Sequence, residues 1–500
     1  EENRWKIKEV SRIEFPETVK NVVEARISRL DDECRNVLTM ASFVGNDFGV
    51  EALREISGFE EGKLLELVDK MFKTGLIKER VIRGEGVCSF ADILVRDVVY
   101  EEVSPLNRTK LHKVVGCALE KVYAKKLDEH FGELALHFLE GGDKDKALDY
   151  FLKAGDRAAS IYANSEATSY LQSALNLLEG RDDKLREKGH VLESLGDINE
   201  IVAEYKDSKR FFDEALLLWQ RLGEKRKVAD IHRRIATLFW SVDGNVEGAK
   251  EHYDEALKIL GAEPESVELG RLYLNIGGMY FQTGHMTEAL TWGEKALELA
   301  KKLEEFRIMA WSYARLAAVF MGKGDTRKAC ECAEKALKIS LDNNYAENAI
   351  SAYVNLGASL PVEEGERRLE CYEKAYELAK KVGIIGSISW QGSILAWAYA
   401  LRGDSEKSLR LAEESVALDR KANDLFNLSW SMEALGLANY VLGEWDKSEQ
   451  CYKEGLISAE KAHAYQTIAY GNGALGALYF DKGEYAKARE CFEKMYKVLE

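Results

Sequence analysis

Residues 277–296 read GGMYFQTGHMTEALTWGEKA, and the spacing of their small residues governs most of the chain. Gly284 sits at the centre as a turn, with Gly277 before it and Ala289 and Ala296 after it. The pattern returns about every 40 residues from about residue 150 onward. Its centres are Tyr162, Ala203, Gly244, Gly284, Gly324, Glu363, Gly403, Gly443 and Gly483. The positions after each centre hold Ala167, Ser208, Ala249, Ala289, Ala329, Ser408, Ser448 and Ala488, with Arg368 as the exception. Further on come Ala174, Ala215, Ala256, Ala296, Ala336, Ala375, Ser415 and Gly455, and Met495 breaks the series last. Small residues at fixed offsets on two helical segments mean that helices approach closely once per repeat. The reading is a mainly α chain whose larger part is a right-handed α-solenoid.

Within this frame, Gly277, Tyr280, Ala289 and Ala296 in one repeat resemble the tetratricopeptide repeat, as do Gly476, Tyr479, Ala488 and Phe492 in the last. Gly293 and Met495 depart from the family pattern, and the period exceeds the usual length of about 34 residues. The proline that commonly ends the second helix is also absent. Longer helices account for both departures, since an internal proline breaks helical hydrogen bonds.

Composition agrees. Four prolines in 500 residues are too few for a loop-rich or all-β fold, and 46% hydrophobic content supports an extended helical core. No run of 18 apolar residues occurs, so no membrane partner is expected. The net charge of −16 argues against a general nucleic-acid binder. Cys332, Cys371, Cys451 and Cys491 share one repeat offset, where other repeats carry Tyr170, Phe211, Trp292 and Leu411. They read as packing residues in a reducing, cytoplasmic setting, not as metal ligands. The last repeat leaves Phe492, Met495, Tyr496 and Leu499 without a following helix, and both ends read as cut from a longer polypeptide.

The expected domains are a linker over residues 1–16, a winged helix over 17–103, a helical arm over 104–143, and the superhelix over 144–500. In the second of these, Val19, Val22, Val23, Ile27 and Leu30 suit a first helix. Further helices follow at about 33–43 and 50–56, and Leu64, Leu65, Leu67, Val68, Met71 and Phe72 mark a fourth. A hairpin runs through Leu76–Ile82, turns at residues 83–86 and returns to Phe90. The recognition helix, Glu60 to Thr74, carries Glu60, Glu61, Glu66 and Asp69 against Lys63, Lys70 and Lys73, so DNA binding is not expected.

A second resemblance is more specific. Phe15-Pro16-Glu17-Thr18-Val19, Arg26-Ile27-Ser28-Arg29-Leu30, Ala41-Ser42-Phe43-Val44-Gly45 and Gly75-Leu76-Ile77 occur in order. Phe90, Leu94-Val95-Arg96, Tyr100, Arg108 and Leu111-His112 follow, then Glu133-Leu134-Ala135-Leu136-His137-Phe138. The run resembles the region after the nucleotide-binding domain in signal-transduction ATPases with numerous domains, the class that includes the bacterial maltotriose-responsive activator. That resemblance implies a P-loop core, a winged helix closing over ADP, an arm and a superhelical sensor. An inducer would release autoinhibition, letting the core exchange ADP for ATP and oligomerise. No G-x-x-x-x-G-K-[ST] loop exists in this chain, so no cofactor is expected in it, and ATP or ADP would belong to a separate core. Relatives carry His two residues beyond the equivalent of Phe90, where it touches nucleotide. This chain has Asp92 there, and a carboxylate repels phosphate unless a metal or an arginine intervenes.

The first helix of each repeat should line the concave face. One offset gives Trp311, Trp390, Trp430 and Tyr470, and Trp397 and Tyr440 add aromatics at other groove-facing offsets. They suit a sugar face, an apolar helix or a peptide, or else they fill space between helices. Arg234, Arg271, Asn275 and Arg315 face the same way and resemble a carboxylate clamp, or form ion pairs with the abundant glutamates. The eight histidines are scattered, and no catalytic set emerges. The expectation is a sensor whose groove takes an inducer or peptide and which acts on its own nucleotide-binding core. The alternative is a scaffold docking a partner's peptide.

Overall fold

The computed structural model describes residues 17–82, 85–242, 244–422, 424–462 and 464–499. The expected linker and the hairpin residues Arg83 and Gly84 lie outside them. The described chain forms two compact units. One runs to Arg157 and adds Ser169–Glu179, and the other combines Ala158–Thr168 with the chain from Gly180 onward.

The first unit opens with α1 (Glu17–Ile27), α2 (Asp32–Val44), strand β1 (Asp47–Phe48), α3 (Val50–Ser57) and α4 (Glu61–Lys73). The hairpin is β2 (Ile77–Ile82) and β3 (Glu85–Phe90), followed by α5 (Ile93–Glu101). β1 pairs antiparallel with β3 to give a sheet of order β1-β3-β2. Val23, Ile27 and Leu30 are buried along one stripe, whereas Val22 sits off it and is exposed. Leu65 is likewise exposed, because Leu64, Leu67, Val68 and Met71 already complete the buried face of α4. On that helix Lys63 pairs with Glu33 and Lys70 with Asp31, each at 2.7 Å. Glu33 of α2 and its N-cap Asp31 therefore hold two of the lysines that a phosphate backbone would need. The unit continues through α6 (Pro105–Val122), α7 (Phe131–Glu140) and most of α8 (Lys144–Ser160) and α9 (Asn164–Leu177).

The second unit is a solenoid of tetratricopeptide-like helix pairs. They are α10 (Leu185–Ile201) with α11 (Tyr205–Leu222), α12 (Lys225–Ser241) with α13 (Val246–Gly261), and α14 (Val267–Gln282) with α15 (Met286–Lys302). Next come α16 (Phe306–Gly322) with α17 (Thr326–Asp342) and α18 (Ala346–Ser359) with α19 (Gly365–Val382). The last are α20 (Ile385–Leu401) with α21 (Ser405–Ala422), α22 (Leu425–Val441) with α23 (Trp445–Lys461), and α24 (Tyr465–Asp481) with α25 (Tyr485–Leu499).

The small residues behave as their spacing requires. Ala215, Ala256, Ala296, Ala336 and Ala375 are fully buried where second helices press on their neighbours. A side chain at Gly196 would stand 2.4 Å from the Phe212 ring, and one at Gly436 would stand 2.4 Å from that of Tyr452. The repeat centres turn the chain with positive φ from 59° at Tyr162 to 83° at Gly403. Glu363 is the exception. It lies in a short 3-10 helix, Val362–Glu364, entered through Leu360 and Pro361, so that turn is built without a left-handed residue.

Candidate functional site

The second unit encloses an open cavity of about 1150 Å³ on the side of its first helices. Residues of α10, α12, α14, α16, α20 and α22 line it, as the repeat register requires. Trp311 and Trp390 contribute aromatic faces, joined by Phe426, while Arg234, Arg271, Asn275 and Arg315 supply donors. The other expected aromatics lie elsewhere. Trp430 packs edge-on against Trp390 at 5.4 Å, and Tyr470 against Trp430 at 5.6 Å, so a ladder of rings continues past the cavity along α22 and α24. Trp397 is exposed and does not line the cavity. Tyr440 gives its hydroxyl to Asp481 and stacks on Trp445 at 6.5 Å, again apart from it.

The four polar residues expected to act together have different surroundings. Arg234 is held by Asp230 at 2.9 Å, by Asp197, and more loosely by Glu193 at 3.9 Å. Arg233 takes the other oxygen of Asp230, also at 2.9 Å. Burial alone would raise the Asp230 carboxyl, but the two guanidinium groups outweigh it and hold the acid well below its ordinary range. Asn275 donates to Thr237 Oγ1 at 2.7 Å, and Trp240 Nε1 donates to Tyr253 Oη at 2.8 Å beside it. Arg271 and Arg315 have no carboxylate within ion-pair distance among the described residues.

Acids that sequence reasoning had not marked face the same space. Glu200 is pushed up to about 7 by burial, and the charge of Asp197 adds to the shift. Tyr205 donates to Asp424 at 3.0 Å, and Tyr162 donates to Glu347 at 3.2 Å. Burial raises Asp424 as well. The only sequence signal of Glu347 and Asp424 is a polar residue near a helix start, which reads equally well as a cap, and Glu200 lies at the end of α10. Asp424 does cap α22, accepting from Asn427 N at 2.9 Å.

In the first unit, Asp92 accepts from Leu94 N at 3.0 Å and caps α5. That geometry gives the aspartate a structural task independent of nucleotide. The histidines, scattered in sequence, form two close pairs. His112 Nδ1 lies 3.2 Å from His137 Nδ1, and His232 Nδ1 lies 2.8 Å from His252 Nδ1. Burial lowers the first pair to about 4 each, so both rings are neutral at pH 7. No group of three metal-ligating side chains gathers among the described residues. The cysteines are free thiols, and burial pushes Cys451 up to about 11.

Comparison with known proteins places this geometry. Tetratricopeptide repeat models match residues 229–302, 312–343 and 469–498. A Rap protein solved in complex with competence and sporulation factor superposes with a TM-score of 0.52 at 14% identity, over 70% of this chain and 97% of that one. The helix-pair fold is shared. A signal-transduction ATPase with numerous domains and a tetratricopeptide repeat sensor from Pyrococcus horikoshii aligns over 96% of this chain and 65% of that one, at 18% identity and a TM-score of 0.42. An uncharacterized protein of Rhizobium meliloti (strain 1021) is 25% identical over 159 residues. The match covers 32% of this chain and 15% of that relative's length.

Proposed function

We propose that this chain is the sensing region of a signalling ATPase whose nucleotide-binding core lies outside it. The cavity of the second unit would take an inducer or a short peptide and so control autoinhibition and oligomerisation of that core. The observation that carries the reading is the pairing of Trp311, Trp390 and Phe426 with unpaired arginines on one cavity wall. Aromatic faces beside a few convergent polar groups are what ligand sites generally present. The Rap protein, which shares the fold, was solved in complex with competence and sporulation factor. The ordered sequence motifs of the first unit support the ATPase part of the proposal. There the helix, strand, helix, helix and hairpin order of α2, β1, α3, α4, β2 and β3 suits a winged helix that contacts the core. A protein scaffold that docks a partner's peptide on the exposed end of the ring ladder, at Tyr470, is the second reading.

The test is tryptophan fluorescence of the full chain, titrated with panels of short peptides and oligosaccharides. A ligand of the cavity shifts or quenches the emission. Replacing Trp311 and Trp390 by Ala abolishes that binding while the helical circular-dichroism signal persists. If the rings serve packing instead, each replacement lowers stability by about 3–5 kcal/mol and leaves binding untouched. A folded double variant that binds like the parent chain sinks the groove reading.

A further inference from the structure

The chemistry of the ligand can be narrowed, an inference that rests on the cavity reading above. Of the arginines on the cavity wall, Arg233 and Arg234 are compensated by Asp230, Asp197 and Glu193. Arg315 on α16 is not. It is partly buried, and the acidic group that acts on it is the weakly acidic phenol of Tyr253. Desolvation therefore holds its pKa below that of a free guanidinium. A buried cation without a counter-charge is costly, and such groups are normally paired.

Two features show that the chain accommodates this arginine. At the equivalent offset, five other repeats carry apolar residues, Ile235, Val354, Ile394, Ala434 and Ala474, and the two earliest carry Lys153 and Ser194. Among the described residues at this offset, Asn275 and Arg315, on the neighbouring first helices α14 and α16, are polar and line the cavity. Facing Arg315 is Gly278, where an added Cβ would stand 3.0 Å from the guanidinium Nη2. Gly278 follows the periodic Gly277, so the repeat does not require it. A helical glycine costs up to about 1 kcal/mol relative to alanine. Its lack of a side chain leaves the guanidinium room to lie along α14.

The acids of the cavity do not supply the missing charge. Asp424 and Glu347 each accept a tyrosine hydroxyl, Asp197 holds Arg234, burial pushes Glu200 up to about 7, and Glu305 makes no ion pair with Arg315 among the described residues. Arg271 is exposed on the same wall, also without an ion pair among the described residues. We propose that Arg315, supported by Arg271, is the anchor of an anion subsite in the cavity. It would take a carboxylate or phosphate group of the ligand, whose apolar part then lies along Trp311 and Trp390. A planar guanidinium with several fixed donors suits either group, and charge-assisted hydrogen bonds are the strong ones.

The full chain is titrated at constant ionic strength with benzoate, phenyl phosphate and neutral benzyl alcohol, following calorimetric heat and tryptophan emission. Benzoate or phenyl phosphate is expected to bind saturably and more tightly than benzyl alcohol. Whichever of the two is preferred identifies the anion as carboxylate or phosphate. Arg315→Met weakens that anion by at least about tenfold and leaves benzyl alcohol unchanged. Arg315→Lys restores part of the loss, and it carries the comparison if the methionine variant does not fold. Anions that bind no better than benzyl alcohol, or equally well to the Met variant, overturn the subsite. In that outcome a Trp390-dependent response to benzyl alcohol keeps the cavity reading standing. An anion response that needs Arg315 but survives Trp311→Ala with Trp390→Ala removes the aromatic wall and retains the subsite.

Discussion

Glu433 is the least compensated acid of the second unit. It lies on α22, is 8% exposed, and its Oε1 has no hydrogen-bond partner among the described residues. Gly471 on α24 leaves space for it, since a Cβ there would stand 2.3 Å from that oxygen. Desolvation raises the carboxyl from its ordinary 4.5 to about 8. The folded state thus keeps a proton that the unfolded chain releases, and this favours folding fully only below about pH 4.5. As pH rises from 4.5 to about 8 that contribution is lost, and above 8 the buried charge remains as a constant cost. Glu433→Gln keeps the shape and removes the titration. Denaturant unfolding should find it more stable than the parent chain at pH 8.5, by on the order of a few kcal/mol. The difference should shrink towards pH 5. A difference independent of pH would mean that the carboxyl is not the titrating group.

At the scale of elements, the close approach of helix pairs sets two effects against each other. Alanine is a better helix former than glycine by up to about 1 kcal/mol. At Gly436 of α22, however, a Cβ would stand 2.4 Å from the Tyr452 ring of α23. Gly436→Ala is therefore expected to destabilise by about 1–3 kcal/mol. Gly261, at the end of α13, has nothing within 4 Å of an added Cβ, and Gly261→Ala should be neutral or stabilising. Thermal melts that order the two variants the other way would refute the assigned packing. This logic also explains what could be read in the sequence. Steric demands at Gly196, Gly436 and Ala336 repeat with every helix pair, so they leave a periodic trace. The turn at Glu363 does not, because Pro361 and a 3-10 turn replace the left-handed residue used at other centres. β1 also went unseen, since Asp47 and Phe48 are too few to show alternation, and pairing with β3 alone makes them a strand.

Across the second unit as a whole, the contacts that matter most for the cavity are those without a period. Arg271, Asn275, Arg315, Trp311 and Trp390 could be placed on one wall because each occupies a repeat offset. Tyr205 and Asp424 could not, since a bond spanning 219 residues forms once and repeats nowhere. Nor could Tyr162, which reaches Glu347 across 185 residues. It holds φ at 59° where six of the later centres have glycine, and its ring packs against the cluster around Ile350 and Val382. A left-handed tyrosine costs about 1–2 kcal/mol, so its retention there is consistent with the contact outweighing the strain. The Tyr205–Asp424 bond can be isolated, because Tyr205→Phe removes only a hydroxyl and Asp424→Asn preserves an oxygen to cap α22. If the bond ties the first turns of α11 and α22 together, a double-mutant cycle returns a coupling of about 0.5–3 kcal/mol. Amide exchange in both first turns should accelerate in either single variant, and to no greater extent in the double. Additive stability changes with exchange unaltered in α11 would show that the two segments are positioned by their own helix neighbours, and that the tyrosine merely rests against a buried acid.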